Sequence, residues 1–152
     1  MKLYLLRHGI ADWPEWDRPD DERPLTAKGK KEMRRVAKFL RDLKVRPARI
    51  LSSPLPRAWQ TAEIAAEHLE LELREESDLG HGFNVAKLRK IISRPSGADL
   101  MLVGHEPDFS AVIRALTGGE VKLKKGGLAR VDLARGSARG RLIWLLAPKL
   151  AL

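Results

Sequence analysis

The stretch LYLLRHG, residues 3–9, is where the reading of the fold starts. Leu3 to Leu6 run apolar without a break. A strand with one wet face alternates apolar and polar residues, whereas a strand covered on both faces does not. The run therefore predicts an interior strand with helices packed on either side. It stops at Arg7 and His8, a cation and an imidazole side by side, just before Gly9. Such a pair either caps a strand at the surface or places chemistry at the edge of a sheet, and the rest of the chain must decide between the two.

Outward from that strand, GIADWPEWDRPDDERP (residues 9–24) has three prolines, two tryptophans and no periodicity, which reads as a loop. Arg23 is expected to anchor it through Asp20 or a neighbour, and Trp13 and Trp16 to form a hydrophobic lid on the core. Thr26 is a plausible N-cap. Met33, Val36, Ala37, Leu40 and Leu43 follow at helical spacing, with Lys30, Lys31, Arg34, Arg35, Lys38 and Arg41 opposite. That basic face is either merely solvated or steers an acidic partner.

The cycle repeats. ARILSS predicts a short strand, and PLPRAWQTAEIAAEHL a helix with Ala58, Ala62, Ala65 and Leu69 on one face. Leu71 to Arg74 suggest another strand. GHGFN suggests a turn, with Asn84 capping a helix through Val85, Leu88, Ile91 and Ile92. ADLMLVGH is a buried strand, and EPDFSAVIRALTGG a helix ending at Gly118. VKLKKGG reads as a solvated, mobile turn. GLARVDLA and RLIWLLA flank RGSARG as a closing hairpin. Strands alternating with helices predict an α/β fold, a three-layer α/β/α sandwich on a mostly parallel mixed sheet with a C-terminal β-hairpin. Residues 1–152 are read as a single domain.

In open α/β sheets ligands bind beyond the carboxyl ends of the strands. The first strand ends in Arg7-His8-Gly9, the second in Ser52-Ser53-Pro54 with Arg57 just inside the next helix, and the LMLV strand in Gly104-His105. Three strands thus send two histidines and two arginines to one edge, which a surface cap does not explain. Two guanidiniums offer planar forks of donors suited to phosphate oxygens. Helix N-termini near Arg57 and Pro107 add N–H groups. One imidazole can attack phosphorus and the other can stabilise the phosphoryl oxygens. Flanking cations should keep the nucleophile unprotonated. This chemistry requires no metal and no cofactor. No HxH or HxxxH spacing occurs, and two arginines would repel a dication. His68, late in a helix, is given no role.

Composition agrees. The chain has 152 residues, 43% of them hydrophobic, and no cysteine, so thiolate chemistry and disulfides are excluded. No apolar run approaches the roughly 20 residues a membrane span needs, and no signal peptide is evident, so a cytoplasmic protein, acting as a monomer away from membranes, is expected. The net charge is +9. Residues 1–50 carry 14 Lys/Arg against 8 Asp/Glu, residues 51–100 carry 6 against 8, and residues 101–152 carry 9 against 4. Such a chain attracts anions.

The motifs LYLLRHG, RPLTAKG, SSPLPRAWQTAE and LMLVGHEP, in this order from residue 2 to about residue 117, resemble the histidine phosphatase superfamily, also called phosphoglycerate-mutase-like. The short length, the RPLT after a compact loop and the ending IWLLAPKLAL look most like its SixA-type bacterial phosphohistidine phosphatases. The resemblance implies that His8 is phosphorylated, that Arg7, Arg57 and His105 form the phosphate pocket with Gly9, and that Ser53 lines it less directly. Larger members of the family carry a glutamate as general acid in an insertion. Here the region is only LELREESDLGHGFN, where Glu75, Glu76, Asp78 and His81 are candidates without a matching motif.

An alcohol leaving group departs as a strong base and needs that proton, whereas the imidazole of phosphohistidine titrates near pH 6.5 and can leave neutral. The reading is therefore a phosphatase acting on phosphohistidine of a signalling or phosphotransfer protein, of the histidine-containing phosphotransfer type. The alternatives are a phosphatase of a small phosphorylated metabolite and a non-catalytic basic module binding phosphate or nucleic acid. No aromatic RNA-binding pattern or basic tail favours nucleic acid.

Overall fold

A computed structural model describes residues 1–94, 97–134 and 139–151. Its six-stranded sheet comprises β1 (Lys2–Arg7), β2 (Arg49–Ser52), β3 (Leu73–Glu75), β4 (Leu100–Gly104), β5 (Leu128–Leu133) and β6 (Gly140–Leu146), in the order β3-β2-β4-β1-β5-β6. The first four of that order are parallel, and β5 and β6 complete it antiparallel. The helices are α1 (Ala27–Asp42), α2 (Pro56–Leu69), α3 (Val85–Ile92) and α4 (Asp108–Thr117).

Alternation along the strands divides the core. Leu3 and Leu5 face one layer with Leu88, Ile91, Phe109 and Ile113 from α3 and α4. Tyr4 and Leu6 face the other with Met33, Val36, Ala58 and Ala62 from α1 and α2. Both faces of β1 and β4 are therefore dry, and this is why their sequences read as unbroken apolar runs. The expected sandwich is the observed one.

The punctuation follows the side chains. Thr26 Oγ1 accepts from Gly29 N at 2.9 Å to open α1, and Asn84 Oδ1 accepts from Lys87 N at 2.9 Å to open α3. Gly118, at φ 77°, closes α4. The third strand starts at Leu73 rather than Leu71, because Glu70 ends α2 in a left-handed turn and Leu71 N bonds back to Ala66 O. Part of the expected RGSARG turn, residues 135–138, lies outside the described residues.

Two expectations fail. Trp13 and Trp16 do not cover the core: they pack on each other at 6.1 Å and donate their indole N–H groups to Pro24 O and Pro19 O, bracing their own loop. VKLKKGG is not a loose turn. Leu123 is buried, Gly126 N donates to His8 O, and Gly127 N to Lys124 O. Gly126 adopts φ 75°, and a Cβ there would meet Met33 Sδ at 2.8 Å, so glycine is required on both counts.

Candidate active site

The parallel register places the site. Leu6 pairs with Val103, and Val103 with Ser52, so β1, β4 and β2 end level. The ladder continues one residue further, His8 N donating to Gly104 O and Ser53 N to Val103 O. His8, His105 and Ser53 thereby come off three adjacent strands together. Their neighbour Arg57 comes from the first turn of α2. All four side chains are buried.

His8 Nδ1 lies 2.8 Å from Gly9 O. A carbonyl only accepts, so Nδ1 carries the proton and Nε2 keeps its lone pair. Burial is the main cause that lowers the His8 pKa to about 4; Arg57, Arg7 and Arg23 push the same way against the Gly9 bond. The cations expected from the sequence contribute, but desolvation leads. Gly9 acts through this ring rather than through its own donor, because its N–H is committed to Thr61 Oγ1 at 3.0 Å. Its missing Cβ matters too: one would meet Met33 Cγ at 2.7 Å.

His105 is set the opposite way. Its Nε2 is 2.7 Å from Ser53 Oγ, and Ser53 Oγ already accepts from Leu55 N. Among the bonds these residues make, the hydroxyl hydrogen has no acceptor other than Nε2, so the hydroxyl donates to it, which leaves the proton on Nδ1. Burial first, then His8, Arg57 and His81, push the His105 pKa down to about 3. The two rings, 5.4 Å apart, are thus both neutral, one offering a lone pair and the other an N–H.

His105 Nδ1, Arg7 Nε and Arg57 Nε are buried with no partner in the protein, as is Arg49 Nε at the start of β2, away from the site. Leaving a buried donor unsatisfied costs about 1–3 kcal/mol. At the site, a tetrahedral oxyanion offers acceptors to donors of this kind. Arg7 is otherwise held by Leu123 O, which accepts from Nη1 at 2.9 Å. Arg57 donates from Nη1 to Asp20 O, with the Asp20 and Asp21 carboxylates 3.8 and 3.9 Å from Nη2. Among the described residues no cluster of three or more His, Asp and Glu is arranged to hold a metal.

Of the four candidates in LELREESDLGHGFN, His81 is the one brought against these rings, 5.2 Å from His105, with Nε2 on Asp21 Oδ1 at 2.6 Å. Glu76 turns to Arg94 at 3.1 Å, Glu75 is exposed at the end of β3, and Asp78 lies in the turn Ser77–Leu79. His68 bonds Ile64 O within its helix. Arg23 anchors the loop as expected, on Asp20 Oδ1 at 2.8 Å and on Ala11 O. Sequence reasoning misses Asp21 and Thr61 and takes the loop around Leu123 for a mobile turn. The only signal for Asp21 is an acidic DDE in a basic half of the chain.

The sequence profile of the histidine phosphatase superfamily (branch 1) matches residues 3–81. The chain belongs to that superfamily. It is 29% identical over 155 aligned positions to the phosphohistidine phosphatase SixA of Escherichia coli K12, covering 97% of this chain and 94% of that one. An uncharacterised protein of Picosynechococcus sp. is 37% identical over 171 positions, 98% of each. Among solved structures, the protein histidine phosphatase SixA complexed with tungstate superposes with a TM-score of 0.87 at 27% identity, over 99% of both chains. The activity class is that of a phosphatase. No helix among the described residues is long and apolar enough to cross a membrane.

Proposed function

We propose that this protein removes phosphoryl groups from histidine residues of a phosphorylated protein, through a phosphohistidine of its own at His8. The observation that carries the reading is the opposed setting of the two neighbouring imidazoles, a lone pair left on His8 Nε2 and an unpartnered N–H on His105 Nδ1, with Nε of Arg7 and of Arg57 likewise buried and unpartnered. The Nε2 lone pair forms a bond to phosphorus while the bond from phosphorus to the substrate nitrogen breaks. That nitrogen keeps the electron pair and takes a proton from solvent. Arg7, Arg57 and His105 Nδ1 hold the phosphoryl oxygens, over which the charge is spread while phosphorus passes between the two nitrogens. Water then attacks phosphorus, the bond to His8 Nε2 breaks, and inorganic phosphate and neutral His8 are released, the water proton passing to solvent. Arginines supply the counter-charge, so neither step calls for a metal.

Two things favour phosphohistidine over other phosphates. The chain is similar along its whole length to SixA proteins that bear that activity in their names. A substrate whose leaving nitrogen departs neutral also needs no strong acid, and Glu75 is exposed to solvent while Glu76 is paired with Arg94. The His81–Asp21 pair is the observation favouring the second reading, a small phosphate ester, since an alcohol would need such a proton donor. Turnover of a phosphorylated histidine-containing phosphotransfer protein, measured beside common phosphomonoesters, separates them. Phosphohistidine should be hydrolysed far faster. Equal or better turnover of an unactivated alkyl phosphate would overturn the reading.

A further inference from the structure

Arg7 lines a second recess. It is a groove of about 810 Å³ floored by Ile10, Ala147 and Pro148 and rimmed by Lys28, Lys124, Lys125 and Lys149. Its two carboxylates are already engaged. Asp12 receives Lys125 at 2.7 and 2.9 Å, and Glu32 has Arg35 at 4.0 Å. Among the described residues no carboxylate lies within ion-pair distance of Lys28, Lys122, Lys124 or Lys149. The last three crowd one another, and Lys122 foremost, with Lys149, holds the exposed Lys124 ammonium below the ordinary lysine range. Lys122 and Lys124 do not ride on a floppy turn, since their loop is fastened to Arg7 and His8 through Leu123 O and Gly126 N.

We propose that this groove docks an acidic segment of the protein that carries the phosphoryl group, Lys28, Lys124 and Lys149 receiving its carboxylates while the phosphoryl group lies against Arg7. The proposal rests on the protein-substrate reading above. Volume and shape favour a peptide segment over a lone phosphate: the groove falls within the usual range of roughly 300–1,000 Å³ for sites that enclose a ligand, and its apolar floor suits side-chain stems. Nucleic acid fits less well. No aromatic ring lines the groove for a base to stack on. The basic outer face of α1 is as charged but does not adjoin Arg7.

The test compares Lys124→Glu/Lys149→Glu with Lys30→Glu/Lys38→Glu, which makes the same change of charge on the exposed face of α1. On a phosphorylated histidine-containing phosphotransfer protein, the groove variant should lose roughly tenfold or more in kcat/KM and much of its salt dependence. Its turnover of phenyl phosphate should stay at the wild-type level, and the α1 variant should change the ratio of the two substrates by less than about twofold. Equal losses in both variants, or none in either, would overturn the docking site. If wild type hydrolyses phenyl phosphate but not the phosphoprotein, the substrate reading fails, and docking is then decided by fluorescence anisotropy with a labelled peptide of alternating Asp and Ser. Binding by wild type and the α1 variant but not by the groove variant supports the site. Equal binding by all three, no binding by wild type, or stronger competition by a single-stranded oligonucleotide overturns it.

Discussion

Two cationic regions meet at Arg7, and they are alike in little except sign. In the candidate active site Arg57 is 4% exposed and His105 2% exposed, and buried donors stand unpaired. In the groove Lys28, Lys124 and Lys149 are exposed, and their charges are met by water. Desolvation makes the first region specific. Each donor has one direction, little screening and a cost when empty, so an oxyanion of the right shape gains on every contact. The second has no fixed geometry, and salt screens it over a Debye length of about 8–10 Å. The contrast assigns chemistry to one region and recruitment to the other.

The strongest way to break this contrast is His8→Ala. The buried region should then lose all turnover, on phosphoprotein and phenyl phosphate alike, because the lone pair that forms the bond to phosphorus is gone. The fold should persist by circular dichroism: the Gly9 carbonyl loses its partner, a cost of about 1–3 kcal/mol, while the sheet ladder through His8 N is untouched. Activity above a tenth of wild type would remove His8 from the role. In wild type, label from a labelled substrate quenched at alkaline pH should map to His8.

Arg7→Ala and Arg57→Ala come next. A hydrogen bond to a charged group contributes about 1.5–3 kcal/mol, so affinity for vanadate or tungstate should fall roughly 10- to 150-fold in each. Arg57→Lys should recover little, because one ammonium cannot reproduce the planar fork. The groove variants should leave oxyanion affinity unchanged. If the arginine variants also leave it unchanged, the two regions do not differ as argued. Chelators should have no effect on turnover, and activity lost to EDTA and restored by a divalent ion would contradict the metal-free steps.

The buried region was also much the more legible in the sequence. Its residues sit at the ends of apolar runs, and the parallel register that levels those ends follows from the alternation of strands and helices. Tertiary partners were not legible. Ser53 was read as lining the pocket, but that its hydroxyl sets the His105 tautomer depends on a bond across 52 residues. Thr61 reaches Gly9 across the same span, and Asp21 meets His81 across 60. VKLKKGG was misread because its composition is that of a solvated turn. What fastens it is Leu123, one apolar residue among lysines, together with its backbone, and backbone groups carry no sequence signal.

Acidity tests the desolvation argument with a smaller effect. Burial and the neighbouring arginines hold His8 at about 4 against the ordinary 6.5. The acid limb of kcat/KM, corrected for ionisation of the substrate, should therefore fall nearer 4 than 6.5. Stability should follow the same groups. In the unfolded chain these histidines take up protons as pH falls through 6.5, while the folded chain refuses them until about 4 for His8 and 3 for His105. Stability should thus be fully present above 6.5 and decline as pH drops through that window. Urea midpoints should show a shallower decline in His8→Ala. An acid limb that stays near 6.5 in wild type after that correction would mean that burial does not control this ring.

The smallest expected effect concerns the margin between the regions, where His81 is more than half exposed yet its ring lies 5.2 Å from buried His105. Exposure argues for weak coupling, proximity for a role. A general acid supplies roughly 100- to 10,000-fold on a poor leaving group. If His81 lacks that role, His81→Gln and Asp21→Asn should each change phosphohistidine turnover by less than about tenfold. Rates of formation of the His8 adduct from a series of phenyl phosphates should then climb steeply with the acidity of the departing phenol, in wild type and in both variants, because nothing protonates the oxygen as it leaves. Alkyl phosphates should be poor substrates throughout. A shallow dependence in wild type that steepens in both variants would show His81, oriented by Asp21, giving its proton to the leaving oxygen. Exposed groups at the rim would then take part in chemistry, the separation of the two regions would break down, and the small-ester reading would displace phosphohistidine.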